Sequence, residues 1–471
     1  MTEKNNEYKS LDVQDIEFFK HLLGEKGCSI EMDTLLKYGS DETEDISSPP
    51  GIVLFPRSTD EVVGVMKYCY DHLLPVTPRG AGTGLSGGAI PIPGGISLSI
   101  EKMNRILEID ERNLQVTTEP GVITQVLQEA VEEKGLFYPP DPASKGSCFI
   151  GGNIAENSGG PKAVKYGVTK DYVLNLEVVL ANGDLIWTGA NVLKNATGYN
   201  LTQLMVGSEG TLGIITKAVL RLIPKPGRDM LMLVPFRSGE KACEAVSAIF
   251  QKGITPSGLE FIERDALIMG SAFLNSPELI SEEGIEAHLL IEVDGNWEDE
   301  LMRDVELIYS VLENYDCGEI LFADSAAQKD NLWRLRRSLG EAVKSKSLYK
   351  EEDTVVPRAE LPVLLNGVKS IGKKYGFNSV CYGHAGDGNL HVNILKEDMS
   401  EEQWQVTVKK GIREIFELCV SLGGTLSGEH GIGLVQKEFL DIAFDEKQMS
   451  VQQAIKTALD PKGILNPGKV Y

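Results

Sequence analysis

The stretch CYGHAGDGNLHVNIL, Cys381 to Leu395, sets two histidines around a Gly-Asp-Gly core in a chain that has only six histidines. Imidazole ligates metals and carries protons near neutrality, so a close pair raises both chemistries. Asp387-Gly388 is a strong signal for a two-residue type I′ turn between strand-like SVCYG and LHVNIL. With the turn there, His384 falls opposite His391, and directly opposite residues share a sheet face with Cβ atoms ~4.5–5.5 Å apart. Two imidazoles so placed can chelate one divalent ion. A helical i, i+7 reading fails because Gly386 and Gly388 interrupt it. A third ligand is available in GGTLSGEHGIG, where Glu429 and His430 are neighbours. Two histidines and a carboxylate suit zinc, manganese or iron, and leave positions open for substrate. Two ordinary sheet histidines remain the plain alternative at this point.

A second chemistry lies upstream. PRGAGTGLSGGAIPIPGG, Pro78 to Gly95, contains a literal G-x-G-x-x-G at Gly82, Gly84 and Gly87, with Glu101 near the place of a ribose-binding acid. That fingerprint must open a helix. Here Pro91, Pro93, Gly94 and Gly95 follow, and proline has no N–H to donate. The same prolines count against a hydrolase elbow at Ser86 within Gly84-Leu85-Ser86-Gly87-Gly88. What remains is a glycine loop whose N–H groups can converge on phosphate oxygens, with Arg79 as an added charge. Two more glycine- and Ser/Asn-rich segments follow, Tyr138 to Gly160 and Thr197 to Lys217. As mere connectors the three would cost chain entropy; wrapped around one extended phosphate-bearing ligand they make sense.

These elements need a scaffold, and the chain is long enough for two or three domains. The 471 residues are 42% hydrophobic, with a formal net charge of −23. Such an acidic chain repels nucleic acid and anionic membranes. The polar start and the lack of a long apolar run argue for no leader, no membrane insertion and a cytoplasmic location. Seven scattered cysteines without C-x-x-C predict reduced thiols and no iron–sulfur cluster. The patterning predicts a helical lead-in over 1–45 and a glycine-rich domain over 46–227. An α+β domain on an antiparallel sheet follows over 228–422, and a turn-rich segment over 423–471 packs back.

PRGAGTGLSGG, PPDPASKGSCFIGGNIAENSGG, KYGVTKDYV and GSEGTLGIIT resemble the FAD domain of the vanillyl-alcohol-oxidase flavoprotein superfamily. Nearly the whole chain resembles its 2-hydroxy-acid dehydrogenase branch, which includes glycolate oxidase catalytic subunits, FAD-linked D-lactate dehydrogenases and D-2-hydroxyglutarate dehydrogenase. The resemblance implies an α+β fold: a two-subdomain, PCMH-type FAD domain, a substrate (cap) domain, and a C-terminal segment that returns to the flavin. Implied pyrophosphate contacts are Arg79, Gly80, Gly82, Thr83, Gly84 and Ser86. Pro142, Gly146, Ser147, Gly152, Asn153, Ser158, Gly159 and Gly160 follow, then Glu209, Gly210, Thr211, Ile214 and Asn466. No histidine lies between His72 and His288, so the FAD is expected to be non-covalent.

GHxGDGNxH with GEHG resembles the branch's metal motif. It implies His384, His391 and Glu429 as ligands, His430 as the base, and Asn393 and Arg336 on the substrate. An arginine can grip a carboxylate bidentately. Lys350 is implied as a second charge across a one-residue alignment gap. The plain alternative for Arg336 and Lys350 is a solvated basic helix face. Members acting on 2-hydroxyglutarate tend to carry a hydroxyl residue where this chain has Gly340, which favours glycolate or D-lactate.

The implied reaction is oxidation of a D-2-hydroxy acid to the 2-oxo acid. Electrons then leave for an iron–sulfur subunit, an electron-transfer flavoprotein or a quinone route. A homodimer is a further expectation. The rivals are a non-catalytic flavin-binding subunit of a larger dehydrogenase, a non-redox synthase of the superfamily, and a serine hydrolase built on Ser86.

Overall fold

The computed structural model describes residues 8–276 and 283–470. The first seven residues of the expected lead-in and Tyr471 lie outside them. The chain forms two compact units. One comprises Met1–Ser158, Val168–Lys225 and Glu429–Tyr471, the other Gly159–Gly167 and Pro226–Gly428. No described helix is long and apolar enough to cross a membrane. All seven cysteines are free thiols.

In the first unit, Ser58 accepts the Glu61 N–H and starts the Thr59–His72 helix, with Asp60 and Glu61 in its first turn. Val62, Val65, Met66 and Cys69 recur at helical spacing and are fully buried against Ile52, Leu54, Val76, Ile96 and Leu98. Those five belong to a four-stranded sheet ordered Cys28–Ser29, Ile52–Leu54, Ile96–Ser99, Val76–Arg79, whose last three strands are parallel. A five-stranded antiparallel sheet accompanies it, ordered Ile106–Asp110, Gln115–Thr118, Ile214–Arg221, Val173–Val179, Leu185–Trp187. Residues 80–95 join two parallel strands without any helix. The glycine motif is therefore neither a dinucleotide fingerprint of the helix-opening kind nor a nucleophile elbow. The tail runs beside the Val76 strand: the Val76 N–H donates to Ile464 O and the Asn466 N–H to Val76 O.

The second unit carries a seven-stranded antiparallel sheet. Its order is Leu321–Phe322, Arg228–Phe236, Ala287–Gly295, Gly258–Glu263, Asn378–Gly383, Asn389–Leu395, Tyr349–Val355. The expected helices form at Gly239–Gln251, Glu298–Leu312 and Leu361–Tyr375, each burying an apolar stripe.

The hairpin at residues 378–395 differs from the expected one. His391 pairs with Tyr382, and His384 lies beyond the paired strand. Ala385–Asp387 forms a 3-10 turn, so the connection spans five residues, 384–388. A type I′ turn needs positive φ at both central residues, and of Asp387 and Gly388 only Gly388 (φ +81°) has it. The connection is packed so closely that a Cβ on Gly386 would overlap Val164 and one on Gly388 would overlap Val356 O. Gly388→Ala is accordingly expected to destabilise the protein by more than about 1 kcal/mol, read as a lowered thermal midpoint.

Candidate functional site

In the first unit the glycine loops wall a cavity of about 240 Å³. Of the residues implied to hold FAD, its lining includes Arg79, Gly80, Gly82, Thr83, Gly84, Pro142, Gly152, Asn153, Ser158, Glu209, Gly210 and Ile214. Arg79 is buried, donates to Ser40 O at 2.6 Å and lies over the Tyr38 ring. A Cβ on Gly82 (φ +77°) would overlap that guanidinium. A Cβ on Gly84 or Gly152 would meet nothing within 4 Å and would enter the cavity. Backbone is thus exposed to a bulky ligand where side chains would obstruct it, and this fits FAD. Gly152→Ala should fold, since the added Cβ meets nothing within 4 Å, yet weaken flavin binding. Visible absorbance relative to protein absorbance measures the loss.

Other implied contacts stand back from the cavity. Ser86 is buried, and its carbonyl accepts the Leu434 N–H at 2.8 Å. Thr211 Oγ1 donates to Ser208 O, and Ser147 Oγ to Ser144 O. Gly146 lies in the same turn as Ser147, near Gln125. Asn466 Nδ2 donates to Gly88 O and Glu209 O, so it braces two walls rather than lining one. Gly159 and Gly160 belong to the second unit. Glu429 and His430 line the cavity.

In the second unit, strand register gathers the polar side chains. Tyr382 and Asp353 flank His391, while Val380 and Glu351 flank Asn393. Opposed residues share a face, so His391, Asn393, Tyr382, Glu351 and Asp353 are on one side of the sheet. His384 reaches the same place from the connection: its ring centroid is 5.5 Å from that of His391, with the planes at 82°. Glu260, fully buried on the Gly258–Glu263 strand, lies 2.8 Å from His384 Nδ1 and 2.6 Å from Arg336 Nε. Burial raises the Glu260 carboxyl pKa, but the facing His384 and Arg336 outweigh it and hold the group below its usual range. An ionised carboxylate only accepts, so His384 Nδ1 presents an N–H to it. His391 Nδ1 lies 3.3 Å from Glu351 Oε1 and 3.7 Å from Asp353 Oδ1. Carboxylates behind Nδ1 are the usual backing of metal-ligating imidazoles, and the donor set fits a divalent ion.

Arg336 is no solvated helix face. It is 4% exposed, at the end of the Ala326–Arg337 helix, with its guanidinium over the Tyr382 ring. Lys350 is a correction. It pairs with Ile394, on the sheet face opposite His391 and Asn393, and its Nζ lies over the ring of buried Trp404. Strand alternation assigns Glu351, not Lys350, to the site face.

Glu260, Glu351, Asp353 and Tyr382 escaped the reading of the sequence. Asp353 binds Asn389 Nδ2 through Oδ1, and Ser427 Oγ and the Gly428 N–H through Oδ2. It therefore anchors the residue immediately before Glu429. The apolar residues Leu259, Phe261 and Ile262 around Glu260 were the available signal.

Comparison with known proteins agrees with this picture. The model described as FAD linked oxidases, C-terminal domain, matches residues 225–470, and the one described as FAD binding domain matches residues 50–189. The chain is 42% identical over 437 residues to the glycolate oxidase subunit GlcD of Bacillus subtilis (strain 168), covering 93% of this chain and 92% of that protein. It is 38% identical to the D-lactate dehydrogenase of Anaerostipes hadrus, covering 89% of each chain. It is 33% identical to the D-2-hydroxyglutarate dehydrogenase of Stutzerimonas stutzeri (strain A1501), covering 94% and 95%. The structure of substrate-bound p-cresol methylhydroxylase superposes with a TM-score of 0.80 at 20% identity, over 97% of this chain and 96% of that one, a likeness of fold. A cavity walled by glycine backbone and matches along nearly the whole length lead to one conclusion: the chain belongs to the FAD-linked oxidase family.

Proposed function

We propose that the protein oxidises a small D-2-hydroxy acid, glycolate or D-lactate, to the 2-oxo acid, and passes the electrons to a separate acceptor. The observation that carries this reading is the sheet face on which two imidazoles, each backed by a carboxylate, share space with buried Arg336 and Asn393. When bound, FAD supplies the hydride acceptor, and a divalent ion at His384, His391 and Glu429 supplies a Lewis acid for the substrate's hydroxyl and carboxylate. The chain's own residues do the rest. Arg336 presents its guanidinium to the substrate carboxylate, and Asn393 offers a polar contact beside it. His430 takes the hydroxyl proton. Asp353 holds Gly428, the residue before Glu429. The names of the similar proteins support a hydroxy acid, and the naming of one of them as a subunit supports a partner acceptor.

Gly340 favours the small substrates. A Cβ there would lie 3.5 Å from Tyr382 Oη, so the position faces the site and offers no hydroxyl. Anaerobic reduction of the flavin by D- and L-hydroxy acids, with and without EDTA, tests the proposal. Bleaching by D-lactate or glycolate that metal removal abolishes is the expected result. Unchanged bleaching after complete metal removal would refute the metal's part, and no bleaching by any hydroxy acid would refute the reaction.

A further inference from the structure

Two carboxyl groups in the glycine-walled cavity have no part in the proposed reaction. Glu156 ends the Ile150–Glu156 helix, and Glu209 (φ +51°) follows the Leu201–Met205 helix. Both line the cavity. They converge on Gly431, where a Cβ would overlap Glu156 Oε2 and lie 3.1 Å from Glu209 Oε1.

Their surroundings are not equivalent. Glu209 accepts the Ile432 N–H at 2.9 Å and the Gly433 N–H at 2.7 Å, which suits an ionised carboxylate. Glu156 Oε2 is shielded from solvent and has no hydrogen-bond partner among the described residues, and its Oε1 packs near Gly88, 3.2 Å from where a Cβ there would be. A carboxylate so placed would be desolvated beside a second carboxylate with no donor to offset it. A carboxylic acid meets the same space without that charge and brings an O–H of its own. Burial, then Glu209, then Asp41 push the Glu156 carboxyl well above its ordinary range. Burial also raises Glu209, against its two N–H donors and Lys469.

The other charged groups around the pair are few. Asp41 is raised by burial and faces Arg79. Lys469 donates to Ile90 O and Asn466 Oδ1, and burial pushes it down to about 8. Glu429 and His430 line the same cavity. FAD brings an anionic pyrophosphate into it, and each ionised acid in the wall opposes that charge.

We propose that Glu156 is the proton-bearing member of this pair, and that the protein retains FAD in the form in which that proton is present. Binding and protonation are then linked. FAD binding takes up a proton once the pair would otherwise be ionised, and deprotonation weakens FAD retention by at most tenfold per pH unit.

The test measures FAD dissociation from the holoprotein, as flavin fluorescence released on dilution, from about pH 6 to about pH 10, above the ordinary carboxyl range. In the wild type the dissociation constant should be flat and then rise with pH. Glu156→Gln keeps the shape and cannot ionise, so it should retain FAD and lose the rise. The same rise in Glu156→Gln would assign it to Asp41 or Lys469 and overturn the proposal, as would a flat wild-type profile. Should that variant fail to fold, calorimetry of FAD rebinding to the flavin-stripped wild-type chain, in two buffers of different ionisation enthalpy, gives the proton count. Uptake approaching one proton per FAD supports the proposal, and no uptake at any pH overturns it.

Discussion

His430→Ala will keep its flavin and lose its reaction: the rate of anaerobic flavin reduction by the preferred hydroxy acid should fall by roughly 10²–10⁴, the usual contribution of a positioned general base. His430 lies on the wall of the cavity built by the glycine loops. A histidine that only packed there would affect folding or flavin retention instead. Rapid-mixing absorbance at the flavin band measures the rate, and reduction by dithionite confirms that the bound flavin is still competent. A variant reduced by substrate at the wild-type rate would remove His430 from the mechanism.

Glu260→Gln should be nearly as damaging, by a different route. The carboxylate is the buried counter-charge of Arg336 and the acceptor that sets the His384 tautomer. Removing one partner of a buried ion pair typically costs about 3–5 kcal/mol. Losing the backing group of a metal-ligating histidine typically costs about 10–100-fold in metal affinity or activity. The variant should melt earlier, hold less metal after dialysis, and lose catalytic efficiency. The sign with pH follows from the depressed carboxyl. Stability from a carboxylate held below its usual range is present above its unfolded value and is lost as pH falls through the folded value. The gap in thermal midpoint between wild type and Glu260→Gln should therefore narrow in acid. Equal metal retention with an unchanged melt would show that Glu260 only fills space.

Much of the scaffold was legible in the sequence because local rules agreed with the fold. The Thr59–His72 helix carries its own cap, acidic first turn and apolar stripe. Pro91 and Pro93 barred a helix after the glycine motif, and none forms. The Gly258–Glu263 and Tyr349–Val355 strands were not anticipated, for a physical reason. Glu260, Asp353 and Thr354 are buried polar residues, satisfied by partners far along the chain, so neither segment reads as apolar or as cleanly alternating. Propensity cannot register a carboxylate that is tolerated only because Arg336 and His384 face it.

The sequence by itself determined the chemistry on offer: glycine loops for a phosphate-bearing cofactor, and three histidines and a glutamate in two short motifs. Those are statements of residue type and spacing, and they survive any change of register. Only the tertiary structure decided which side chains meet. The hairpin, packed closely against Val164 and Val356 at Gly386 and Gly388, turns through five residues, and His391 faces Tyr382. Strand pairing then puts Lys350 on the far face against Trp404 and brings Glu351 and Asp353 to the histidine. A strand's side chains alternate, so one residue of register changes which groups share a face, and only contacts from distant segments set that register.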